Sequence, residues 1–314
     1  MSILITGGCG YTGTVLTQSL LKQDFKVKVI DNQWFGNHLK KHPKLRIYKR
    51  DIRDVDDSIF KNIKSVVHLA NIPNDPSVEL NPNLSWEVNV LATKKLIEFS
   101  IKNKVEQFIY ASSGSVYGIK KEKKVTEELL PVPISTYNKT KMIAERVLES
   151  YKSRIKIHSI RPATVCGYSP RMRLDISVNM FVYQALVKKK LIVFGGKQIR
   201  PNINIKDLIN VYIHFIKNPQ IKSGNYNAGF ENLKILDVAK LVKKHIPAKL
   251  YIKKNVNDPR SYRQNSDKLL KTGFKPLFSV EDAILEIKER YQNKKILIND
   301  KCHTVKWMKK RSIK

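Results

Sequence analysis

Tyr137 and Lys141 stand four residues apart in Ser135-Thr-Tyr-Asn-Lys-Thr-Lys141, a stretch whose helical period continues through Ala144, Val147 and Leu148. That spacing is close to one helical turn, so phenol and ammonium share a face. A phenol beside an ammonium has its pKa lowered and can serve as a base nearer neutrality. Upstream, Ser113 in Ser112-Ser-Gly-Ser-Val-Tyr-Gly118 follows the apolar run Val105 to Ala111. A hydroxyl at a strand end can orient a substrate hydroxyl while the tyrosine takes its proton. Tyr-x-x-x-Lys alone arises often by chance on helix surfaces. A strand-end serine and a glycine-loop sheet upstream make chance a poor account here.

The glycine loop lies at the start of the chain. Ser2 to Thr6 reads as a short apolar strand, Gly7, Gly10 and Gly13 follow at three-residue spacing, and a helix pattern runs through Val15, Leu16, Leu20 and Leu21. Strand, glycine turn and helix build a phosphate site at the helix N-terminus. A second strand, Lys26 to Ile30, ends at Asp31. A carboxylate there accepts from ribose hydroxyls and repels a 2′-phosphate, which favours NAD over NADP; the bland alternative is a turn cap.

These groups need a sheet to hold them. Further strands read at Leu45 to Tyr48, Ser65 to Ala70, Val105 to Ala111 and Ile155 to Ile160. Helical patterns lie between them, from about Val55, around Trp86 to Ile101, and after Ser135. The alternation predicts an α/β fold with a doubly wound parallel sheet, and the nearly continuous apolar strands suit a sheet covered on both faces. Later helices are expected at Ile176 to Val187, Lys206 to Ile216, Ile235 to His245 and Val280 to Tyr291, with strands near Tyr226 and Leu250 to Ile252.

The pieces Thr6-Gly-Gly-Cys-Gly-Tyr-Thr-Gly13, Asp31, Asp51-Ile52, His68-Leu-Ala70, Asn89, Ser113, Val116-Tyr-Gly118, Tyr137 with Lys141 and Arg161-Pro162 occur in one order over the first 165 residues. In this the chain resembles an extended short-chain dehydrogenase/reductase of the nucleotide-sugar epimerase/dehydratase family, in particular its UDP-glucose 4-epimerase-like members. The resemblance implies a Rossmann domain over 1–165, a smaller substrate region over 166–292 with some segments returning to the sheet, and a basic tail over 293–314. It implies NAD held by Gly7, Gly10, Tyr11, Thr12, Gly13, Asp31, Asn32, Asp51, Ile52, Leu69, Ala70 and Asn89, with Tyr137 and Lys141 joining them. Ser113, Tyr137 and Lys141 would be the catalytic set. Ser115, Asn179, Arg171, Arg173, Arg200 and Arg260 would meet a nucleotide-diphosphate sugar. Guanidinium suits a diphosphate because its donors form a fixed fork. A loop-stapling role for Arg171 and Arg173 through Asp175 is an equal alternative. A homodimer is also implied, as dimerisation through a two-helix face is common in the family.

One departure narrows the reaction. Sugar-nucleotide dehydratases of the family carry an acidic pair after the catalytic serine or threonine, where this chain has Gly114 and Ser115. Neither moves a proton usefully near neutral pH, so dehydration is disfavoured. The cysteine that some 3,5-epimerases place in this segment is missing too, and nearby Cys166 reads as a buried, inert thiol. The expectation is NAD-dependent epimerisation at C4 through a transient 4-keto sugar. A 4-dehydrogenase or dehydratase that releases the ketone is the alternative, and a non-catalytic RNA-binding or regulatory relative is the alternative of another class.

Composition sets the outer bounds. The 314 residues, 42% hydrophobic, suffice for one large α/β domain with a smaller one built on. No apolar run approaches the roughly 20 residues that span a bilayer. Three scattered cysteines suggest neither a disulfide framework nor a metal site, and the expected compartment is the reducing cytoplasm. The net charge of +32 is spread along the chain as solvated lysine. It would gather an anionic substrate, and nucleic acid is not the expected partner. The tail carries Trp307 and Met308 as apolar anchors, to dock on the body, dock on a partner subunit, or fray.

Overall fold

The computed structural model describes residues 1–253 and 261–312. Twelve strands occur among them: β1 (Ser2–Thr6), β2 (Lys26–Asp31), β3 (Leu45–Lys49), β4 (Ser65–His68), β5 (Gln107–Ala111), β6 (Lys156–Pro162), β7 (Thr164–Cys166), β8 (Lys190–Phe194), β9 (Ile199–Asn204), β10 (Gly224–Ala228), β11 (Glu231–Lys234) and β12 (Lys249–Lys253). Seven form one sheet in the order β10-β6-β5-β4-β1-β2-β3. Every pairing in it is parallel. Its central strands are apolar because both faces are covered: Ile3, Leu4, Ile5, Val66, Val67, Phe108 and Ile109 are wholly buried. Chain order reverses between β1 and β4, and a crevice opens there at the carboxyl ends.

The longer helices are α1 (Tyr11–Lys22), α2 (Ala92–Lys102), α3 (Thr136–Glu149), α4 (Ser177–Lys188), α5 (Ile205–Lys217), α6 (Ile235–His245) and α7 (Val280–Gln292), and the shorter α8 (Thr304–Lys310) closes the described chain. One core packs Leu16 and Leu20 of α1 and Leu208, Val211 and Phe215 of α5 against the sheet; another packs Leu96, Ala144 and Leu148 on its other face. A third, apart from the sheet, joins α4, α6 and α7 through Val182, Val242 and Ile284. Beside it lie the three-stranded β11-β9-β7 sheet and the β12-β8 pair. These small sheets mostly escaped the sequence pattern, because β8, β9 and β11 are short and carry lysine, proline and asparagine among their apolar residues. The tail docks on the body: Met308 is buried in the second core and the Trp307 indole donates to the Trp34 carbonyl at 2.6 Å.

Candidate active site

The glycine turn is shaped by backbone crowding. Gly7 has φ +73°, and a Cβ on it would lie 2.7 Å from the Ala70 nitrogen. A Cβ on Gly13 would lie 2.1 Å from the Gly7 carbonyl oxygen, so α1 reaches the turn only where that position lacks a side chain. Gly10 caps α1 without any side-chain acceptor for its first-turn amides. Those amides carry the positive end of the helix dipole and suit an anion. The Asp31 carboxylate ties the turn to the end of β2, accepting from Cys9 N at 2.9 Å and Gln33 N at 2.7 Å. Burial pushes its pKa up, and those two amides and Arg171 pull it back.

A cleft of about 380 Å³ runs from this turn to the catalytic candidates. Of the residues picked from sequence, Gly7, Gly10, Tyr11, Thr12, Gly13, Asp31, Asn32, Asp51, Ile52, Leu69 and Ala70 line it, as do Ser113, Tyr137, Lys141, Arg171 and Arg173. Trp34, Phe35, Leu208 and Tyr212 also line it and were not picked. The first two follow Asp31 in a loop with no periodicity. The other two sit on the buried face of α5, where they look like ordinary core.

Two picked residues, Asn89 and Asn179, sit buried behind the wall. Asn89 lies in a π-helical turn, Glu87–Leu91, inserted ahead of α2. Its amide holds Ile72 N at 2.8 Å and Thr140 Oγ1 at 3.1 Å, which locks the loop after β4 to α3. Asn179 is fully buried, and its amide holds Gly167 N, the Tyr11 hydroxyl and the Arg173 carbonyl. It therefore shapes the loop behind the arginines instead of facing the cleft as a phosphate contact would. Ser115 Oγ lies 2.8 Å from Ser113 Oγ. Arg200 lies on β9, off the cleft wall, and Arg260 lies outside the described residues.

The catalytic candidates are rigidly held. Ser135 caps α3 by accepting from Asn138 N at 3.2 Å, which sets where the first turn presents Tyr137. Lys141 is 2% exposed and its Nζ donates to the Ala111 carbonyl at 2.8 Å. Ser112 N donates to the Ile160 carbonyl at 2.8 Å, fixing the strand end from which Ser113 projects. Behind them Arg161 forks onto Glu145 (Nε–Oε1 2.9 Å, Nη2–Oε2 2.8 Å) and donates to the Tyr117 hydroxyl at 2.7 Å. Tyr117 donates onward to Asn227 of β10 at 2.8 Å, so one buried network spans β6, α3, β10 and the turn after Ser113.

The electrostatics correct one expectation. Tyr137 is not lowered by Lys141: burial pushes it up to about 12, and a Ser113 hydrogen bond and the Arg173 charge pull only part of the way back. Burial, which favours the neutral amine, also drives Lys141 down to about 7, opposed by Glu145. Cys166 is buried in a site that raises its thiol pKa, so it is no nucleophile.

Gly114 explains the place of the missing acidic pair. A Cβ on it would lie 3.1 Å from Gln264 Nε2 and 3.3 Å from the Pro162 carbonyl oxygen. Gln264 is itself fixed by donating to the Arg161 carbonyl at 2.7 Å. Its amide packs where a carboxyl-bearing side chain would have to begin.

A parallel sheet with a dinucleotide cradle at its reversal point and a serine, tyrosine and lysine at the neighbouring strand end defines a nicotinamide-linked oxidoreductase-type site. The NAD dependent epimerase/dehydratase family matches residues 3–229, and the chain belongs to that family. It is 31% identical over 218 residues to a putative UDP-glucose 4-epimerase of Methanocaldococcus jannaschii, covering 66% of this chain and 70% of the relative. It is 26% identical over 299 residues to UDP-glucuronic acid decarboxylase 1 of Danio rerio, covering 90% and 70%. UDP-glucuronic acid 4-epimerase from Bacillus cereus, solved in complex with UDP-glucuronic acid and NAD, superposes with a TM-score of 0.82 at 28% identity, over 94% of this chain and 100% of that one. The cofactor is NAD, and the uncapped α1 terminus, the backbone-tight glycine turn and the Asp31 carboxylate fit it. Among the described residues no helix is long and apolar enough to cross a membrane.

Proposed function

We propose that the protein is an NAD-dependent UDP-sugar 4-epimerase. The observation that carries this reading is the convergence of Ser113 and Tyr137 on one cleft wall while Gly114, packed against Gln264, supplies no second acid or base. Bound NAD would supply the hydride acceptor. Tyr137 Oη takes the proton of the C4 hydroxyl as the hydride leaves C4. Ser113 Oγ holds the reacting oxygen through both half-reactions. Lys141, tethered to the Ala111 carbonyl at 2.8 Å, would hold the ribose side of the cofactor. In the return half-reaction Tyr137 Oη would give the proton back to the C4 oxygen, and a cofactor that took up and gave back one hydride would leave no net redox change. The Arg173 charge lowers the pKa of the phenol against the rise from burial, and its Nε donates to Asp175 at 3.0 Å. The similarity to proteins of UDP-glucose and UDP-glucuronic acid chemistry supports UDP as the nucleotide. Incubation with UDP-glucose, UDP-glucuronic acid, UDP-N-acetylglucosamine and GDP-sugars, followed by NMR, tests the reading. A C4 epimer from a UDP-sugar is expected. A released ketone with reduced cofactor accumulating, or no turnover on any of them, overturns it.

A further inference from the structure

Arg171 is 4% exposed, lines the cleft, and its Nε and Nη1 have no hydrogen-bond partner in the protein. Two unmet N–H donors on a buried cation are costly unless a ligand meets them. The sequence places Arg171 beside Arg173 among the substrate contacts, but the two guanidiniums have different partners. Arg173 Nε donates to Asp175 at 3.0 Å, whereas the Arg171 guanidinium stacks 4.0 Å over the ring of Phe35, in the loop that follows Asp31. The loop that carries it is pinned onto the start of α1: Ser169 Oγ donates to the Tyr11 carbonyl at 2.8 Å, and the Tyr11 hydroxyl donates to the Gly167 carbonyl at 2.8 Å. The far end of that loop is held by the tail, with Leu174 N on the Cys302 carbonyl at 2.8 Å and Thr304 N on Asp175 at 2.9 Å. The guanidinium is thus fixed between the glycine turn and the Asp31 loop, on the dinucleotide side of the cleft. The anionic part of a dinucleotide is its diphosphate, which a planar fork of donors matches.

We propose that Arg171 is a cofactor clamp, its guanidinium donating to the NAD diphosphate and completing the cradle that the glycine turn begins. The inference rests on NAD binding and not on the sugar reaction, so a failure of epimerisation leaves it standing. Its test is Arg171→Met in the full-length protein. NAD content is read by mass spectrometry after denaturation, before and after dialysis, and calorimetry compares ADP-ribose, adenosine and UDP. The expected result is loss of resident NAD on dialysis and about 10- to 100-fold weaker ADP-ribose binding, the worth of one or two hydrogen bonds to a charged group, with adenosine and UDP unchanged. Undiminished ADP-ribose binding overturns the clamp, as does an equal or larger loss for UDP, which would put Arg171 on the substrate. If R171M does not fold, Phe35→Leu carries the test. Removing the ring under the guanidinium should weaken ADP-ribose more than adenosine, and equal effects on the two overturn the proposal.

Discussion

Tyr137 sits in the cleft with its pKa at about 12 and Lys141 with its own at about 7, both driven by burial. Both shifts favour the neutral forms, and Ser113 and the Arg173 charge oppose the rise at Tyr137. Tyr137→Phe should lower turnover by about 10³-fold or more while leaving resident NAD in place, because it removes the proton acceptor and not the cradle. Loss of NAD from that variant, read by absorbance after denaturation, would instead make the phenol a cofactor anchor. Arg173→Met should raise the apparent pKa on the pH–rate profile, since Arg173 lowers that of Tyr137. An unmoved profile would detach Arg173 from the phenol. Tyr137 and Lys141 were readable in sequence because one helix carries both, and Ser113 because it ends a strand. The Gln264 amide against Gly114 was not, as 150 residues separate the two and no local pattern links them.

Elements place these residues through buried polar joints. The π-turn at Glu87–Leu91 turns Asn89 inward to lock the loop after β4 onto α3, and inserted turns of this kind often mark functional sites. Arg161 and Glu145, 2% and 4% exposed in their side chains, join β6 to α3. Arg161→Met would strand the Glu145 carboxylate without its partner. Unfolding in urea should show a loss of about 3–5 kcal/mol, and a neutral result would mean that Glu145 is satisfied otherwise. At the glycine turn, Gly13→Ala puts a methyl 2.1 Å from the Gly7 carbonyl oxygen. Backbone must move, so both the melting temperature and the NAD content should fall. The main sheet was legible in its apolar runs, which ended within a residue or two of the strands seen. The joints were not, because arginine 161, glutamate 145 and asparagine 89 look like surface residues until two elements close over them.

Across the whole molecule, burial of neutral histidines sets an acid limit. His68 is held between Thr6 Oγ1 at 2.6 Å and Thr93 Oγ1 at 2.9 Å, and burial lowers its pKa to about 3; His158 is lowered to about 4 by the same cause. The unfolded chain takes up these protons near pH 6.5 and the folded one does not. Stability is therefore intact above that pH and falls below it, by roughly 1.4 kcal/mol per pH unit for each histidine until its folded pKa is reached. Urea midpoints between pH 7 and pH 4.5 should decline steeply, and a His158→Gln variant should decline less. Equal slopes would assign the loss to other groups. The tail belongs to the same scale: α8 ties the Trp34 loop and the Asp175 loop to one body, so the cleft's cofactor end is closed by residues far apart in sequence. The sequence marked Trp307 and Met308 as anchors without showing where they land. The central claim, that a hydride leaves C4 and returns to C4, is tested most directly with a UDP-sugar carrying deuterium at C4. The account predicts a C4 epimer that keeps the deuterium at C4, with no build-up of reduced cofactor. Deuterium lost to solvent, or appearing in accumulating NADH, would contradict it.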